Sequence, residues 1–160
     1  MFRRDLLALT ALAGLGLALL PITSFADEKS DLEGVKAASK AFYSALAVFD
    51  DGEAMGKVFA QTPYITYVGP RDKAITVGWD AVKKNIASTS NLFLERNVSL
   101  TDAKIRVNGA VAWELGQETG ETKMKTGVVT KTDWLATNIY ENQPDGRWLM
   151  VSHHVQQKPQ

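Results

Sequence analysis

From residue 93 onward the chain is a succession of β-favouring runs separated by turn signals, and this restricts its fold more than any other feature. The runs lie near residues 93–107, 110–118, 128–141 and 147–156. Between them stand Asn108-Gly109, the polar stretch Thr119 to Gly127, and Pro144-Asp145-Gly146. Asn-Gly accepts the positive φ angles of a two-residue hairpin turn, and Pro-Asp-Gly combines a preset φ with a residue free to turn left-handed. Strands joined by connections this short pair antiparallel with their sequence neighbours, so the second half predicts a four-strand meander.

The first half carries a different period. Leu32, Val35, Ser39, Phe42, Leu46 and Phe49 recur at helical spacing, and Ser30 with Glu33 forms a capping-box pattern ahead of them. Asp50-Asp51-Gly52 ends this helix, and Glu53 to Ala60 predicts a short second one. Pro63 opens the run Tyr64 to Val68, closed by Gly69-Pro70-Arg71-Asp72, and Ala74 to Val77 is its short partner strand. Gly78 and Asp80 introduce a third helix, through Val82 and Ile86 to about Ser88. Helices early and strands late argue for an α+β domain rather than a wound parallel sheet.

Residues 1–26 are expected to be a signal peptide. Arg3-Arg4 is a charged start, Leu6 to Leu20 is apolar, Pro21 breaks the run, and Ser24-Phe25-Ala26 supplies small residues for cleavage. The apolar run is short of the roughly 20 residues that span a bilayer. The paired arginines also resemble a twin-arginine signal, with Phe2 where Ser or Thr is usual. Residues 27–160 are then a single domain, expected in the periplasm or secreted, with no membrane attachment after cleavage. Losing Arg3, Arg4 and Asp5 takes 18 basic and 18 acidic residues to 16 and 17. That balance offers no bulk attraction to nucleic acid. With no cysteine, thiolate chemistry is excluded, and the two histidines are adjacent and so on opposite faces of a strand. No metal and no cofactor is expected.

The order of elements is similar to that of the NTF2-like superfamily and its SnoaL-like domains. Phe42-Tyr43-Ser44-Ala45-Leu46 followed by Asp51-Gly52-Glu53-Ala54, the glycine-led Val77-Gly78-Trp79-Asp80-Ala81-Val82, and the stretch from Asp145-Gly146-Arg147-Trp148 to His153-His154 carry the likeness. The last also resembles the closing hairpin of the calcium/calmodulin-dependent kinase II association domain. The resemblance implies a cone: three helices in the N-terminal half packed on a strongly curved, mainly antiparallel sheet of about six strands. It also implies a cavity at the wide end and a homodimer formed through the outer sheet face.

Which side chains point inward then decides function. Alternation along a strand puts Trp113, Leu115 and Gln117 on one face, with Ala112, Glu114, Gly116 and Glu118 on the other. Similarity to the kinase association domain places Leu115 and Asn138 where that domain directs cavity arginines, so the aromatic-rich sets are read as inward. The expected ligand-binding residues are Tyr43, Tyr64, Trp113, Leu115, Trp134, Asn138, His153 and His154. Tyr43 resembles a catalytic tyrosine of ketosteroid isomerase, but Val68 and Ala136 stand where that enzyme keeps its acids, and neither can move a proton. His154 and Tyr43 are the remaining candidates for catalysis. The leading expectation is therefore a domain that binds a small, mostly apolar molecule without turning it over. The alternatives are an enzyme of the same fold, a dehydratase, isomerase or hydrolase using His and Tyr groups, and a structural oligomerisation module.

Overall fold

A computed structural model describes residues 25–158. The leader expected at residues 1–26 lies outside them, save for its last two residues. The chain runs α1 (Phe25–Leu46), a single 3-10 turn (Met55–Lys57), β1 (Thr66–Val68), β2 (Thr76–Val77) and α2 (Trp79–Ser90). Four long strands follow: β3 (Phe93–Asn108), β4 (Val111–Met124), β5 (Val129–Asn142) and β6 (Trp148–Gln157). One six-stranded sheet holds them in the order β2-β1-β6-β5-β4-β3, every pair antiparallel except β1 with β6. This is the expected α+β, NTF2-like architecture.

Val35, Ser39, Phe42, Tyr43 and Leu46 form one buried stripe of α1, laid into the concave side of the sheet. Apolar burial of this kind stabilises by about 25 cal/mol per Å² and fixes which way the stripe faces. The helix already runs from Phe25, so Ser30 lies inside it rather than capping it. At its far end Asp51 and Gly52 take positive φ values of 46° and 85°, and Asp50 Oδ2 accepts the Ala54 amide at 2.9 Å. The adjacent acids are thus a turn cap.

The second helix expected over Glu53 to Ala60 is reduced to the 3-10 turn. Beyond it the backbone is claimed by β6: Met150 N–H donates to the Val58 carbonyl and Ala60 N–H to the Met150 carbonyl, each at 2.9 Å. Groups spent on a sheet edge cannot close helical turns. The polar stretch Thr119 to Gly127 also differs from expectation, because both strands extend through most of it and only residues 125–128 turn. Within it Thr122 lines a cavity, together with Thr130 and Thr132 of the next strand.

The ladder between β3 and β4 is irregular at two places. Asp102 adopts φ 55° beside a register shift between Thr101 and Lys104. Nearer the start of β3, Val98 pairs with Gly120, which has φ 144°, and a Cβ there would stand 2.0 Å from the Asn97 carbonyl oxygen. Only glycine permits that bend. The closing hairpin is anchored to α1 by Asp31, whose Oδ1 accepts from Trp148 Nε1 at 3.3 Å and from Asn142 Nδ2 at 3.4 Å.

Candidate active site

Register brings four polar side chains into one row. Glu114 of β4 pairs with Asn138 of β5, Asn138 with His153 of β6, and His153 with Tyr67 of β1. Partners directly across a sheet point to the same face. All four therefore enter the concave side, where Phe42 and Tyr43 of α1 meet them. His153 is held between two aromatic rings, its centroid 4.7 Å from that of Phe42 and 5.2 Å from that of Tyr67. Two repeats of the pleat further along, Glu118 pairs with Trp134 on the same face.

Hydrogen bonds fix the chemistry of this row. Glu114, 2% exposed, accepts from Tyr140 Oη at 2.8 Å and from Asn138 Nδ2 at 3.0 Å. With its amide nitrogen turned to Glu114, Asn138 offers Oδ1 to His153 Nδ1 at 2.8 Å. An amide oxygen only accepts, so His153 Nδ1–H donates and the lone pair resides on Nε2. That nitrogen faces Glu118 Oε1 at 3.8 Å. On its other side Glu118 Oε1 accepts from Tyr43 Oη at 3.1 Å.

Both members of the Glu118–His153 pair are displaced toward neutrality. Burial pushes the Glu118 carboxyl up to about 7, against the opposing effects of the Tyr43 hydrogen bond and the Arg96 charge. Burial, reinforced by the neighbouring His154, pushes the His153 imidazole down to about 3. Removing a charge from water costs more than these neutral partners return. Burial likewise raises Tyr43, Tyr67 and Tyr140, so their hydroxyls remain donors. The arrangement is a carboxylic acid that titrates near neutrality beside an unprotonated imidazole nitrogen. It can give a proton and take one back.

The pair stands at a cavity of about 170 Å³ between the concave sheet face, the Gly69–Asp72 loop and the C-terminal end of α2. Tyr67, Trp134, Val98, Val155 and Leu46 make much of its wall apolar; Arg96, Glu118, His153 and Thr132 are among its polar points, with Asp72, Asn85 and further threonines toward the loop and hairpin. Arg96 lays its guanidinium 4.3 Å from the Phe93 ring centroid and donates to the Leu46 carbonyl at 3.3 Å. Burial lowers it from its ordinary value.

The expected site residues divide. Trp134 and His153 line the cavity, and Tyr43 and Asn138 stand behind it, holding Glu118 and His153. Trp113 and Leu115 do not: the face assignment on β4 is inverted, and they are 39% and 46% exposed on the convex side. His154 is exposed on that side too, so the histidine at the site is His153. Tyr64 is exposed and donates to Glu141 Oε2 at 2.7 Å. Sequence reasoning missed Glu114, Glu118, Arg96 and Thr132. A signal for the acids was present: Ala112, Gly116 and Gly120 are small and share their face, and a Cβ at 116 or 120 would press on β3.

The comparisons agree with this architecture. A family model described as SnoaL-like domain matches residues 35–155. No curated protein matches the sequence. Among solved structures, a proposed dehydratase of the NTF2-like family from Streptomyces avermitilis superposes with TM-score 0.73 at 22% identity, covering 83% of this chain and 99% of that one. An NTF2-like superfamily protein from Salmonella enterica gives 0.68 at 18% identity, covering 86% and 95%. A proposed calcium/calmodulin-dependent protein kinase II association domain from Thiobacillus denitrificans gives 0.65 at 22% identity, covering 78% and 94%. With the sheet topology and the family model in agreement, the chain belongs to the SnoaL-like domain family and has the NTF2-like fold.

Proposed function

We propose that this protein is a proton-transfer enzyme, of dehydratase or isomerase type, acting on a small, mostly apolar molecule in the cavity. Glu118 carries the proposal. Expecting binding without turnover rested on an interior free of acids, and a buried carboxyl beside an imidazole removes that premise. An acid–base group works best when its pKa lies near the working pH, and Glu118 at about 7 fits. In the proposed cycle Glu118 removes or delivers the proton at carbon or at a leaving hydroxyl. His153 Nε2 is the adjacent acceptor, and Asn138 and Glu114 hold its tautomer. Tyr43 stays protonated and steadies the Glu118 carboxylate when it forms.

The test is proton exchange. Wild type incubated in deuterium oxide with β-hydroxy ketones and β,γ-unsaturated ketones, each with and without a carboxylate on its apolar body, should exchange or eliminate at the activated carbon of at least one, followed by proton NMR. Glu118→Gln should lose about 10²-fold or more of that rate while remaining folded. Equal rates in the two proteins would return the domain to ligand capture alone.

Export and a homodimer belong to the same proposal. The leader at residues 1–26 supports the first, and the exposed apolar residues Trp113, Leu115 and Leu135 on the convex face support the second.

A further inference from the structure

The Arg96 guanidinium has no carboxylate within ion-pair distance among the described residues, and Glu118 acts on it only at longer range. Among the described residues it makes one hydrogen bond, to the Leu46 carbonyl, and no ion pair. Its face packs on Phe93, which orients the fork but does not neutralise the charge. The Asp72 carboxylate, in the same wall, is already engaged by the Gly69 amide at 2.9 Å and by Asn85 Nδ2 at 3.3 Å. A half-buried guanidinium left unpaired costs free energy, and an incoming anion would recover it.

A second, independent group points to an occupant. Thr132 is 4% exposed, lines the same cavity, and its hydroxyl has no hydrogen-bond partner among the described residues. Buried hydroxyls are paired in folded proteins, so such an atom at a cavity wall marks a place where a ligand oxygen or its solvent belongs. Among the other lining residues Trp134 and Tyr67 offer ring surface, and Leu46, Leu92, Val98 and Val155 offer aliphatic surface.

We propose that the cavity selects a carboxylate-bearing small molecule, with Arg96 gripping the carboxylate through its free N–H groups, Thr132 bonding a ligand oxygen, and the apolar body lying toward Trp134. This rests on the cavity being the working site and names its substrate class: an apolar or aryl-substituted carboxylic acid. A planar fork matches a carboxylate in two parallel hydrogen bonds, a geometry that a primary amide cannot reproduce with two acceptors.

Calorimetry on the full mature chain tests it, with phenylacetate, cinnamate and 3-phenylpropanoate as probes, each paired with its primary amide. At least one acid should bind wild type about tenfold or more tightly than its amide. Arg96→Met should abolish that preference, whereas Arg71→Gln, at the other cation of the wall, should keep it. If Arg96→Met does not fold, Arg96→Lys takes its place, and the preference should fall by at least about threefold because the fork is gone. No binding of any acid, acids and amides binding alike, or a preference that survives loss of the Arg96 fork overturns the proposal. Glu118→Gln separates it from the catalytic reading: with Arg96 intact it should still prefer acids to amides, so a variant inactive in proton exchange yet selective for acids supports both. A wild type that exchanges protons but ignores the carboxylate contradicts only this inference.

Discussion

Glu118 and His153 each carry an abnormal protonation, with opposite consequences for stability. Glu118 has a folded value near 7, above its ordinary 4.5, so its contribution to stability is complete below 4.5 and is lost as pH rises through 7. His153 has a folded value near 3, below its ordinary 6.5, so its contribution is present above 6.5 and is lost as pH falls toward 3. Between 4.5 and 6.5 the two slopes cancel. Removing one partner should expose the other. Read against the double variant, Glu118→Gln should lose about 1.4 kcal/mol per pH unit as pH falls below 6.5, and His153→Asn should lose a similar amount as pH rises from 4.5. Urea unfolding across pH 4 to 7.5 measures both, and two flat profiles would deny the shifts. Tyr43→Phe should cost about 1 kcal/mol and move any pH–rate midpoint set by Glu118 upward, because the lost hydrogen bond favoured the carboxylate. His154→Ala, on the convex face, should leave cavity binding unchanged. That the sequence suggested His154 over His153 shows the limit at this scale: adjacent residues take opposite faces, and a one-residue error in parity exchanges solvent for core.

At the scale of elements, legibility followed backbone chemistry. Asn108-Gly109 and Pro144-Asp145-Gly146 turn where expected, with Gly109 and Gly146 at φ 60° and 82°. The meander was legible because local turns encode it. The short helix at Glu53 to Ala60 was not, because the pairing of Val58 and Ala60 with Met150 spans some 90 residues, and no local pattern announces it. On β4 the reasoning misfired for a physical cause: acids were assigned to solvent and aromatics to the interior, whereas Trp113 and Leu115 cover the convex face and Glu114 and Glu118 the concave one. Small residues at 112, 116 and 120 carried the better signal. Gly120 should accordingly be intolerant of change. Gly120→Ala should lower stability by about 2 kcal/mol or more, since a Cβ meets the Asn97 carbonyl and φ 144° suits no other residue. Thermal melting is sufficient to check it, and a wild-type midpoint would mean the bend is not fixed there.

The whole molecule divides its sheet between two tasks. Its concave face wraps α1 and holds the polar row and cavity, while its convex face leaves Trp113, Leu115 and Leu135 in contact with water. Such an apolar group on one broad face is what a second copy would cover. Leu115→Glu should convert a dimer to a monomer in light scattering after size-exclusion chromatography, with the cavity pair undisturbed. A monomeric wild type would remove this surface as an interface.

The account turns on a carboxyl held near neutrality beside an uncharged imidazole. Carbon-13 NMR of the Glu118 side-chain carboxyl, assigned through Glu118→Gln and titrated from pH 4 to 9, tests it directly. A midpoint near 7, with the His153 ring unprotonated at pH 5, is the predicted result. A midpoint near 4.5, or a His153 ring that gains its proton near 6.5, would contradict the account.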